Sequence, residues 1–148
     1  MMVHKVLMRI SGIQLDVIST IKRNYYGMDN LNFDKPTILI ANHSSFFDIL
    51  ALVRLDPKLV LLVNNWVYNS PVFGSAIRYA DYIPAFKPIE ETIETAEELI
   101  KKGYSIAIFP EGRRSPDGVI RRFHKGAFYL AEQLKLSITP VMLHGNSY

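Results

Sequence analysis

Cysteine is absent from the 148 residues. That excludes disulfides, a thiolate nucleophile and any zinc site built on sulfur, and it fits a reducing compartment. No apolar run is long enough to cross a membrane as a helix. There is no Lys/Arg-rich block and no stacked-aromatic motif, so no nucleic-acid partner is expected. Repeats, low-complexity tracts and linkers are also missing. A chain of this length then makes one compact domain.

Apolar residues make up 49% and charged residues 21%, a globular composition. The net charge of +3 suits an anionic partner such as a phosphate group, a CoA-type donor or an acidic membrane surface. Residues 1–30 place Val3, Val6, Leu7, Ile10 and their successors at helical spacing, interleaved with His4, Lys5, Arg9, Lys22 and Arg23. An amphipathic helical segment is expected there, packed on the domain or lying in a membrane interface. It is not a signal peptide, because no small-residue cleavage site follows an apolar core. Residues 31–148 form the main domain, which is expected to be short at its C-terminus.

Strand-like and helical runs alternate. TILIA (37–41), LVLLV (59–63), YSIAIF (104–109) and SITPVML (137–143) read as strands. YADYIPAF (79–86) reads as a short irregular one, kept off a central position by Pro84. FFDILALVRL (46–55) and GAFYLAEQL (126–134) read as helices, and 66–80 as a short helix broken by Pro71 and Gly74. In PIEETIETAEELIKKG, Pro88 suits the first turn and Gly103 the end, with Ile89, Ile93, Ala96, Leu99 and Ile100 on one face. The fold class is therefore α/β: a single domain with a mainly parallel sheet flanked by helices. Such sheets carry their sites beyond the carboxyl ends of the strands, where NHSSFFD and FPEGRRS both fall.

His43 and Asp48 are five residues apart in the first of these. On one continuous helix they would point about 140° apart and could not meet. With His43 in a loop and Asp48 in the first helical turn, the carboxylate can accept from one ring nitrogen and leave the other as a base. Ser44 and Ser45 suit the helix N-cap. The plainer reading is a capped helix with a surface histidine, and the motif alone favours it.

The second stretch sets Glu111 in a turn after a strand, then Arg113, Arg114 and Ser115. Guanidinium forks bind phosphate oxygens in pairs. From 109 to 126 the chain carries Arg113, Arg114, Arg121, Arg122 and Lys125 against Glu111 and Asp117. The plainer reading is a solvated basic loop. His4, His124 and His144 show no metal-ligand spacing with His43, and no metal is expected. Phe46, Phe47, Trp66, Tyr68 and Phe73 are expected mostly in the core, with lining an acyl channel or touching lipid as the other reading for some of them.

NHSSFFD resembles the NHx4D block of the glycerolipid acyltransferases, the family that includes lysophosphatidate acyltransferases. FPEGRRS resembles that family's FPEGTRS block, and ITPVML its final Pro-Val strand. The resemblance covers about residues 35 to 145, in the family's order. It implies a glycerol-3-phosphate acyltransferase-like fold. It implies that His43 is the general base on an acceptor hydroxyl and that Asp48 orients it and stabilises its protonated form. The hydroxyl attacks the thioester of acyl-CoA or acyl-carrier-protein without an acyl-enzyme intermediate, and no cofactor is implied. The expected substrate-binding set is Asn42, Ser45, Lys87, Glu111, Gly112, Arg113, Arg114 and Ser115. The expected acceptor is a lysophospholipid, 1-acylglycerol-3-phosphate first, used peripherally at the cytoplasmic face of a membrane. Lys87 stands where the family commonly has arginine, and Arg113 where threonine is usual. These departures admit another lipid or pigment hydroxyl, and a non-catalytic lipid-binding module is a third reading.

Overall fold

ILIA, LVLLV and SIAI are apolar at almost every position, so strands built from them need cover on both faces. The computed structural model describes residues 24–45, 47–71, 74–115 and 117–145. In it these runs form β1 (Ile38–Ala41), β2 (Leu59–Val63) and β4 (Ser105–Ile108). With β3 (Ile83–Pro84) and β5 (Ile138–Val141) they make one five-stranded sheet, ordered β3-β2-β4-β1-β5, in which all pairings are parallel.

The helices divide between the faces. α4 (Ile89–Lys101) and α5 (Gly126–Leu134) bury Ala96, Leu99, Ala127, Leu130 and Ala131 against Ile38, Val60, Ile106 and Ile108. α1 (Phe47–Val53) buries Leu52 against Leu39, Leu59, Leu61 and Ala107 on the other face. The one-turn α2 (Asn65–Tyr68) and α3 (Gly74–Tyr79) add Val67, Tyr68 and Ile77 there. Each fully buried Leu or Ile contributes about 1.5–3 kcal/mol. Alternation along the strands decides the split: Ile38, Ile40, Ile106 and Ile108 face α4 and α5, whereas Leu39 and Ala107 face α1.

Several expectations meet the structure with differences. The run 66–80 is two short helices, the first capped by the Asn64 side chain accepting from the Val67 N–H at 3.4 Å. Pro84 sits in the two-residue edge strand β3, where its missing N–H leaves no central ladder bond unmade. On α4 the buried positions are Thr92, Ala96 and Leu99, and Ile89 is exposed. Thr92 can be buried because its hydroxyl donates to the Pro88 carbonyl, while Ile89 starts the helix at the rim. Phe47 and Trp66, expected in the core, are exposed, because each begins a short helix whose inner positions fall to other residues. Phe46 and Phe73 lie outside the described residues, as does the expected helical segment up to residue 23. Residues 24–30 contain one 3-10 turn, Met28–Asn30.

β1 and β4 are adjacent and parallel, with Ile40 opposite Ile108. From β1 the chain leaves toward β2 under α1, and from β4 it leaves the other way toward β5 under α5. Two neighbouring strands whose connections part to opposite faces open a crevice at their carboxyl ends.

Candidate active site

The loop after β1 carries His43 into that crevice. His43 Nδ1 lies 2.9 Å from Asp48 Oδ2. Asp48 is fully buried in the first turn of α1. The same Oδ2 accepts the N–H groups of Ser44 at 2.6 Å and Ser45 at 2.7 Å. Ser45 Oγ in turn accepts from the Phe47 N–H at 3.3 Å. Asp48 thus reaches back to the Ser45 N–H as the acid of a capping box does, in the sequence pattern Ser45-x-x-Asp48, while the Ser45 hydroxyl caps the N–H of Phe47, two residues on. The bend at Ser44–Ser45 thus closes the five-residue gap. A carboxylate opposite Nδ1 fixes that nitrogen as the N–H and leaves Nε2 as the proton acceptor.

The far side of the imidazole is packed. Its ring stacks on Phe109, the first residue after β4, with centroids 4.1 Å apart and planes 18° off parallel. Phe109 follows Ala107 in alternation, so it points to the α1 face as His43 does.

The loop after β4 is tied to the His43 loop through Glu111, which is 3% exposed. Its Oε1 accepts the His43 N–H at 2.9 Å and its Oε2 the Arg121 N–H at 2.8 Å. The Ser115 N–H donates to the His43 carbonyl at 2.8 Å. Asn42 holds the next strand: its amide donates to the Leu143 carbonyl at 2.9 Å and accepts the Leu143 N–H at 2.7 Å. Asn42, Ser45 and Glu111 therefore direct side-chain atoms at the protein's own backbone.

Ser115 is buried with Oγ 2.8 Å from Asp117 Oδ1, and Arg121 Nε donates to that hydroxyl at 3.2 Å. Arg121 also pairs with the Asp117 carboxylate. The Ser115 hydroxyl, the Val119 N–H and Arg121 hold the Asp117 carboxyl below its ordinary range.

Glu111, Arg113, Arg121, Arg122, Phe123, His124 and Lys125 line an open groove of about 770 Å³. Its second wall, residues 121–125, is drawn in because the His124 N–H donates to the Pro110 carbonyl at 2.8 Å. Gly112 turns with φ +68°, a conformation that disfavours a side chain, and a Cβ there would stand 3.3 Å from the His124 ring. The sequence nominates Arg113 and Arg114 for the site; it counts Arg122 and Lys125 only with the basic loop, and it favours a surface role for His124 over contact with the acceptor. The run RRFHK ahead of α5 was the available signal. Arg114 is exposed. Lys87 follows the edge strand β3, away from the β1–β4 crevice, and its Nζ pairs with Glu91 at 3.0 Å. Among the described residues no cluster of His, Asp and Glu is arranged to hold a metal ion.

The pattern of the Acyltransferase family matches residues 22–144. The chain belongs to the acyltransferase family. A chloroplastic 1-acyl-sn-glycerol-3-phosphate acyltransferase of Arabidopsis thaliana is 33% identical over 130 residues, which cover 84% of this chain and 36% of that protein. A putative 1-acyl-sn-glycerol-3-phosphate acyltransferase of Caenorhabditis elegans is 32% identical, covering 80% of this chain and 47% of the relative. The crystal structure of the 1-acyl-sn-glycerophosphate (LPA) acyltransferase PlsC from Thermotoga maritima superposes with a TM-score of 0.79. It is 25% identical, over 97% of this chain and 58% of that one. This acyltransferase domain thus spans between about a third and three-fifths of the length of these relatives. The α/β class with a parallel sheet, expected from the sequence, is the fold shared with that crystal structure.

Proposed function

We propose that the chain carries the catalytic centre of an O-acyltransferase. It moves a fatty acyl group from an acyl-CoA or acyl-carrier-protein thioester to the free hydroxyl of a lysophospholipid, with 1-acylglycerol-3-phosphate as the first candidate. The observation that carries the proposal is the 2.9 Å contact between His43 Nδ1 and Asp48 Oδ2, made by a loop imidazole at the mouth of the crevice.

In this reading His43 Nε2 takes the acceptor's hydroxyl proton as the oxygen attacks the thioester carbonyl. The tetrahedral intermediate then collapses, the carbon–sulfur bond breaks and the imidazolium returns the proton to the leaving thiolate. The ester forms without a covalent enzyme intermediate, and the chemistry asks for no metal or cofactor. Asp48 keeps the imidazole in the useful tautomer. The groove beside Glu111 offers Arg113, Arg122 and Lys125 to an acceptor phosphate. The names of the relatives support a lysophosphatidate acceptor. A peripheral position at a membrane's cytoplasmic face belongs to the same proposal.

A second acceptor class, another lipid or a pigment alcohol, draws support from Lys87, whose charge is already met by Glu91. One acyl-CoA offered with a panel of acceptors separates the two. Lysophosphatidate giving the fastest transfer supports the first. No product from it, alongside product from an uncharged alcohol, supports the second.

A further inference from the structure

The polar contacts of His43 leave the plane of its ring undetermined. Glu111 and Ser115 fix its backbone, and Asp48 Oδ2 meets Nδ1 at 2.9 Å. The last torsion of a histidine side chain is broad, and a hydrogen bond at one ring nitrogen tolerates a swing of about 30° or more before it weakens steeply. Such a swing would carry Nε2, on the opposite edge, off any fixed target.

Phe109 supplies the missing constraint. Its ring centroid lies 4.1 Å from that of the imidazole, with the planes 18° apart. The sheet, not the loop, sets its place. β1 and β4 run in parallel register with Ile40 opposite Ile108, so Ala41 and Phe109 follow one step on, and both join the apolar cluster on the α1 face. Leu39, Leu61 and Ala107 belong to that cluster. The backbone turns just past the ring, where the Gly112 N–H donates to the Phe109 carbonyl at 3.0 Å. A side chain rooted in the core thus presents a flat face to a side chain carried by a loop. The His43 side chain keeps 14% of its surface open. With Nδ1 on Asp48 and one face on Phe109, that opening falls to the other face and the Nε2 edge.

The phenyl ring is more than a spacer. Its face is electron-rich, and a cation within about 6 Å of the centroid is attracted to it. In the acyltransferase reading the imidazole becomes a cation as it takes the acceptor's proton. An aliphatic side chain of similar bulk would fill the space but offer neither a plane nor a negative face. We propose that Phe109 is a positioning residue for the base: it sets the plane of the His43 ring and steadies the imidazolium formed during transfer. This rests on the acyltransferase reading.

Phe109→Leu in the intact chain tests it. Proton NMR of the imidazole, assigned by the signals lost in His43→Ala, reads the stack without turnover, because the face of a phenyl ring shields nuclei above it. Those signals are expected to move downfield in Phe109→Leu. With a thioester donor and lysophosphatidate, kcat is expected to fall about tenfold while KM for the acceptor stays within about twofold. Phe109→Met gives the same reading if the Leu variant melts below the assay temperature. Leu55→Ala opens the same apolar cluster beyond the end of α1, and is expected to melt lower with the natural kcat. Natural kcat in Phe109→Leu would overturn the proposal, as would an equal fall in Leu55→Ala. Imidazole signals that do not move would overturn it too, since the stack would then be missing in solution. With His43→Ala inactive, each of these results sinks the positioning role alone. A natural rate in His43→Ala would sink the catalytic reading and this proposal with it, while the NMR signals of the natural chain still showed the stack.

Discussion

Glu111 holds the backbone of His43, not its ring: Oε1 accepts the His43 N–H at 2.9 Å while Oε2 accepts the Arg121 N–H at 2.8 Å. One buried carboxylate therefore fixes the proposed base and the basic groove relative to each other. Replacing Glu111 with Ala leaves two N–H groups without their acceptor, at about 1–3 kcal/mol each. The expected outcome is a clear drop in melting temperature together with lost transfer. Glu111→Gln keeps one acceptor oxygen and turns an NH2 toward the other N–H. It is expected to lie between Ala and the natural residue in both measurements.

Asp48→Asn tests whether the carboxylate or merely its shape is needed. The amide can still accept from one direction, but it no longer fixes the His43 tautomer. Transfer is expected to fall about a thousandfold, with a smaller loss of stability of about 1 kcal/mol from the weakened helix cap. Steady-state rates and thermal melts on the same preparation check both.

Much of this centre was legible before any coordinates. The rotation argument put His43 in a loop and Asp48 on a helix, and Ser45-x-x-Asp48 is a local pattern that a sequence displays directly. β2 and α5 have the bounds that periodicity gives, because apolar runs and caps are local too. The groove's second wall was not legible. It depends on His124 meeting Pro110 and Arg121 meeting Glu111, pairings set by how a long turn folds back. Trp66 and Phe47 were misjudged because size and apolarity say nothing about which way a one- or two-turn helix faces.

Gly112→Ala tests that fold-back. The residue would keep φ +68° at a cost of about 1–2 kcal/mol, and its Cβ would press on the His124 ring from 3.3 Å. A lower melting temperature and a raised KM for a phosphate-bearing acceptor are expected.

The Asp117 carboxyl is held low first by the Ser115 hydroxyl, then by the Val119 N–H and Arg121. A depressed carboxyl supports the folded loop above its unfolded pKa, and that support fades as pH falls through the lowered value. Ser115→Ala is expected to move the Asp117 titration upward, toward the ordinary carboxylate range, when followed by NMR of the side-chain carbon. An unmoved titration would assign the shift to Arg121 instead.

The most direct measurement is acyl transfer from a thioester donor to lysophosphatidate by His43→Ala, beside the natural chain. His43's backbone bonds to Glu111 and Ser115 persist in the variant, so a cooperative melt is retained. Transfer is expected to fall by about a thousandfold or more. A folded His43→Ala chain with the natural rate would contradict the assignment of His43 as the base.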